Sequence, residues 1–120
     1  MPYIRITTTK ALSEAERQDL RRCALDAVVL LGKSPSHVML CVEGGMALTK
    51  GEGGGACAFC DVRVYGAATP KACDAFSARL SADVARIAAT APGCVYLSLS
   101  ELTLCYTDGC LPPPRGGKTT

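Results

Sequence analysis

Residues 13–33 read SEAERQDLRRCALDAVVLLGK. Ser13 with Glu16 three positions later has the form of a capping box, in which each side chain satisfies a backbone NH at the start of a helix. Leu20, Ala24, Ala27, Val28 and Leu31 then recur at helical spacing, and Gly32 supplies the stop. On either side lie runs of a different character: residues 3–9, rich in β-branched and aromatic types, and residues 37–43, HVMLCVE, which are mostly apolar. Both read as strands. A helix between two strands makes a β-α-β unit, whose strands run parallel through a right-handed crossover.

The pattern then repeats. KGEGGG at residues 50–55 is a flexible connection, and ACAFCDVRVY at 56–65 reads as a third strand. Thr69 followed by Pro70 is a helix N-cap with proline at the first helical position. Cys73, Phe76, Leu80, Val84, Ile87 and Ala88 form the apolar stripe, Pro92 and Gly93 are expected to end the helix, and CVYLSLS at 94–100 is a fourth strand. The expected class is α+β, with two β-α-β repeats forming a four-stranded mixed sheet and both helices on one face. Nothing in 120 residues remains to cover the other face, which points to a homo-oligomer closed by rotational symmetry. Residues 1–110 are read as one domain. Residues 111–120, with three prolines and two glycines, are read as a mobile tail.

Composition narrows the function classes. The net charge is +2, charged residues make up 20% of the chain, and no run of one sign occurs, so the basic stripe of a nucleic-acid surface is missing. No apolar stretch of membrane-spanning length and no secretory leader is visible. The expected location is therefore cytoplasmic, or secreted without a signal peptide. Eight cysteines in a reducing compartment are expected to be free thiols, most of them serving as small core residues.

Pro2 admits two readings. Proline lacks the NH that a sheet needs and is commonly the first residue of a strand. Alternatively, removal of Met1 would make Pro2 a terminal secondary amine, and an ordinary α-amino group titrates at about 7.7–8.0. Because parallel strands start at the same sheet edge, Lys33, Ser34 and His37 should share that edge with Pro2. A nearby cation and an apolar setting both lower an amine's pKa, which turns it into a base useful near neutral pH.

These residues carry a family resemblance. Pro2 after Met1, Gly32-Lys33 closing the first helix, CAFC from Cys57 to Cys60, Gly66 after the third strand and VYL from Val95 to Leu97 together resemble the macrophage migration inhibitory factor and D-dopachrome tautomerase family of the tautomerase superfamily. The resemblance runs over roughly residues 1–100. It implies a trimer and a cofactor-free interconversion of the keto and enol forms of compounds such as phenylpyruvate, with the N-terminal proline as base. On this chain it implies that Pro2 moves the proton and Lys33 holds the substrate carboxylate. The backbone NH of Tyr65 would assist, and Tyr96 of a neighbouring subunit would line the pocket. Ser98 stands where the family has asparagine, and His37, a further candidate for substrate binding, where it often has an aromatic residue. The family's C-terminal tryptophan is absent, since this chain has none. The resemblance equally allows a cytokine-like factor that binds a protein receptor.

On the fourth strand, Tyr96, Ser98 and Ser100 alternate with Val95, Leu97 and Leu99. That polar face suits a subunit interface or a pocket. Two phosphate-loop look-alikes fail, because the required earlier glycine is Ala27 before Gly32-Lys33-Ser34 and Pro112 before Gly117-Lys118-Thr119. Cys57 and Cys60 suggest thiol exchange, but on a regular strand they face opposite sides about 10 Å apart, whereas a disulfide needs Cα atoms within about 7 Å. A zinc site is disfavoured, as the single histidine lies in the other unit.

Overall fold

The protein, seen in a computed structural model, is described for residues 2–111. Its elements are β1 (Pro2–Thr8), α1 (Glu14–Val28), β2 (Met39–Glu43), β3 (Ala58–Tyr65), α2 (Pro70–Ile87) and β4 (Val95–Leu102). The sheet order is β2-β1-β3-β4. β1 runs parallel to β2 and β3 parallel to β4, while the central pair β1 and β3 is antiparallel. Two β-α-β units thus lie side by side in a mixed sheet, as expected. Of the expected tail, residues 112–120 lie outside the described residues.

Local chemistry sets the element ends. At the start of α1, the Ser13 side chain accepts the Glu16 NH at 3.1 Å and the Glu16 carboxylate accepts the Ser13 NH at 2.9 Å. The helix tightens into a 3-10 turn at Val29–Leu31 and stops at Gly32, whose φ of +73° suits glycine. Ser34 caps a second short turn, Pro35–His37, so β2 begins at Met39 and His37 precedes the strand that the sequence pattern gave it. Thr69 caps α2 through the Ala72 NH. That helix ends at Ile87, well before Pro92. The Thr90 NH reaches the Ala85 carbonyl at 3.1 Å around Ala89, which sits at φ +53°, a left-handed terminus of the Schellman type that needs no proline.

Alternation sorts the sheet into two faces. Ile4, Ile6, Cys60, Val62 and Val64 turn inward and are buried with Leu20, Ala24 and Val28 of α1 and Phe76, Leu80 and Val84 of α2. Val95, Leu97 and Leu99 of β4 pack against the same core. The opposite face carries Arg5, Thr7, Asp61, Arg63, Ser98 and Ser100, and is held by polar contacts. Arg5 grips Glu43 through two nitrogens, both at 3.0 Å, and this keeps the Glu43 carboxyl below the ordinary carboxylate range. The face that the described residues leave uncovered is therefore largely polar, with Met39, Phe59 and Tyr96 as its exposed apolar points.

Candidate active site

Pro2 opens β1, is buried, and stands opposite Val64 of β3. Tyr3 of β1 is opposite Met39 of β2, so the segment that leads into β2 arrives at the Pro2 edge, as the parallel pairing requires. A cavity of about 470 Å³ opens there. It is lined by Pro2, Tyr3, His37, Met39 and Arg63 together with Leu102, Cys105, Tyr106, Thr107 and Asp108 from the end of β4 and the turn after it. Asp108 and Gly109 take φ values of +50° and +80°, and Thr107 and Cys110 exchange two backbone hydrogen bonds of 2.8 Å, a tight turn of the kind Asp-Gly favours.

Lys33 reaches the same edge from the end of α1. The left-handed turn at Gly32 redirects the chain, and the Lys33 ammonium donates to the Tyr65 carbonyl at 3.0 Å. Lys33 is only 5% exposed and Tyr65 4%, and Tyr65 follows directly on Val64, the residue opposite Pro2. Pro2 and His37 thus line one cavity, and the Lys33–Tyr65 pair lies beside Val64 at the same sheet edge. His37 is exposed on the cavity rim.

Tyr96 and Ser98 are elsewhere in the chain. Tyr96 is opposite Phe59 and Ser98 opposite Asp61. Phe59 is five residues along β3 from Val64, roughly 17 Å at strand spacing. Within one chain Tyr96 is therefore remote from the Pro2 cavity. Where it stands, the Tyr96 ring lies 5.7 Å from the Lys50 ammonium and borders a smaller cavity of about 300 Å³ with Lys50, Phe59, Cys57 and Cys94.

Cys57 and Cys60 are free and buried. Cys57 precedes β3, clamped by Thr9: its NH donates to the Thr9 hydroxyl at 3.0 Å, and its carbonyl accepts the Thr9 NH at 3.1 Å. Cys60 faces the core, and burial pushes its thiol up to about 12. Thiol exchange proceeds through the thiolate, so this pair is poorly suited to it. Iodoacetamide at pH 8 is expected to alkylate exposed Cys110 in the native protein and to reach Cys60 only after denaturation, as peptide mass analysis would show. Rapid native labelling of Cys60 would contradict this placement.

The sequence pattern did not single out Arg63, Tyr3, Met39 or the 102–108 wall. Alternation along β3 does turn Arg63 outward with Phe59 and Asp61, and TDGC at residues 107–110 signals a tight turn. What was missing is the neighbour: the pairing of β3 against β1 puts Arg63 opposite Tyr3.

No family model matches the sequence, and no curated protein matches it. Solved structures do match in shape. Leishmania major MIF2 has a TM-score of 0.85 at 17% identity, covering 92% of this chain and 97% of that one. Macrophage migration inhibitory factor of Toxoplasma gondii has a TM-score of 0.77 at 22% identity, covering 91% and 98%. A structure described as a Q0 fused 4-OT wild type symmetric trimer has a TM-score of 0.72 at 19% identity, covering 83% and 85%. With its four-stranded mixed sheet, two helices and shared span, the chain has the fold of the macrophage migration inhibitory factor structures.

Proposed function

We propose that this chain is a cofactor-independent keto–enol tautomerase, assembled as a homotrimer and acting on phenylpyruvate-like α-keto acids. The observation that carries the reading is that Pro2 and His37 line one cavity, with the buried Lys33–Tyr65 pair beside Val64, the residue opposite Pro2. With Met1 removed, the Pro2 nitrogen is a secondary amine. The Lys33 cation and the buried setting both favour its neutral form, which makes it a competent base near neutral pH. In the enol-to-keto direction the neutral amine takes the proton from the enol hydroxyl, and the ammonium so formed gives it to C3. Lys33 holds the carboxylate, the Tyr65 backbone NH assists, and Tyr96 and Ser98 of a neighbouring subunit close the pocket. The trimer is supported by the likeness to a 4-OT trimer structure and by the distance within one chain between Tyr96 and Pro2.

Replacing Lys33 tests the binding half of this mechanism. A hydrogen bond to a charged group is worth about 1.5–3 kcal/mol, so Lys33→Met is expected to lower kcat/KM for phenylpyruvate at least about tenfold, chiefly through KM. Steady-state rates on protein of verified trimeric mass decide it. Unchanged kcat and KM would remove Lys33 from the mechanism. If the trimer is intact but no turnover exceeds the buffer rate, the cytokine-like reading, with a protein receptor as partner, takes its place.

A further inference from the structure

The charges around the Pro2 cavity are unevenly placed. Lys33 is buried, with its ammonium on the Tyr65 carbonyl. Arg63 lines the open cavity, and its side chain is 53% exposed. On β3, Arg63 and Tyr65 are two residues apart, about 7 Å along the strand. Tyr3, Met39 and Leu102 supply apolar wall in the same cavity. The cavity therefore offers one exposed cation with hydrocarbon near it, while the second cation, Lys33, is buried at the neighbouring Tyr65 carbonyl and is not part of the lining.

We propose that Arg63 holds a second anionic group of the substrate, so that the preferred ligands are short keto acids carrying a distal carboxylate. This rests on the tautomerase reading for the role of the first carboxylate. A guanidinium presents five NH donors in a fork that matches a carboxylate. One of its nitrogens lies 3.2 Å from an Asp61 carboxylate oxygen, an outward neighbour on the same strand, which orients the fork and leaves other donors for a ligand. The other ionisable groups lining this cavity are Tyr3, His37, Cys105, Tyr106 and Asp108. The competing explanation is an inert surface ion pair, which contributes little by itself.

The test is calorimetric titration of the full-length trimer with two probes of equal chain length, 2-oxoglutarate and 2-oxopentanoate, which differ in the distal carboxylate. Wild type is expected to bind 2-oxoglutarate roughly tenfold more tightly. Arg63→Gln should lose that preference while binding 2-oxopentanoate as wild type does, and Asp61→Asn, which frees the guanidinium, should keep or increase it. A wild type without preference, or an Arg63→Gln protein that retains it, would overturn the proposal. Binding needs no turnover. A chain whose phenylpyruvate turnover proves independent of Pro2 would lose the tautomerase reading, and this comparison would still decide the role of Arg63.

Discussion

Pro2→Gly is expected to slow the enol-to-keto conversion of phenylpyruvate by at least about two orders of magnitude. Positioned general acid–base catalysis contributes roughly 10²- to 10⁴-fold. The lower part of that range is the relevant one, because glycine still leaves a terminal amine, although a primary one without the ring that fixes its direction. The fold should tolerate the change. Pro2 is the first residue of β1, and glycine in a strand costs only about 0.5–1 kcal/mol, while Ile4 and Ile6 continue to anchor the strand in the core. The effect should fall on kcat more than on KM, since the carboxylate contacts assigned to Lys33 do not pass through Pro2. A variant that turns over within a few-fold of wild type would remove Pro2 from the chemistry.

Phe76→Ala should produce the largest loss of stability. Phe76 lies on the inward face of α2, is 0% exposed, and is the largest fully buried side chain of the core. Truncating a buried phenylalanine typically costs about 3–5 kcal/mol, through lost transfer energy and the cavity left behind. Against a typical domain stability of about 5–15 kcal/mol, that removes about a fifth of the total or more. Urea denaturation at a fixed protein concentration measures it, the fixed concentration being needed because assembly shifts apparent stability. A midpoint displaced by the equivalent of less than about 1 kcal/mol would mean that the two-helix layer does not depend on this side chain.

The fold was largely legible because its signals are local. Ser13 with Glu16, and Thr69 with Pro70, announce helix starts through backbone NH groups that need partners. The apolar spacing from Leu20 to Leu31 and from Phe76 to Ala88 marks the buried faces. Endings were harder. The stop of α2 depends on Ala89 adopting a left-handed conformation, which alanine does not advertise, and the turn before β2 depends on Ser34 bonding the Ser36 NH.

The site was legible only where one β-α-β unit determines it. Pro2, Lys33 and His37 belong to the first unit, and parallel pairing alone places them at one edge. Arg63 and the wall from Leu102 to Asp108 belong to the second unit, and they reach Pro2 because β3 pairs antiparallel to β1. Local sequence says which way Arg63 points but not which strand lies beside it. The burial of Lys33 was equally hidden, since its partner is a backbone carbonyl thirty-two positions away.

The most direct test of the central claim, that the Pro2 nitrogen is the base, is the phenylpyruvate enol-to-keto rate across pH for two preparations of the same chain. One has Met1 removed and the other retains it, each verified by intact mass and trimeric size. An amide nitrogen cannot accept the proton, so the account predicts a fast rate for the Met1-free protein, with a pH dependence that follows titration of the amine, and the buffer rate for the Met1-retaining protein. Equal, fast rates in both would contradict it.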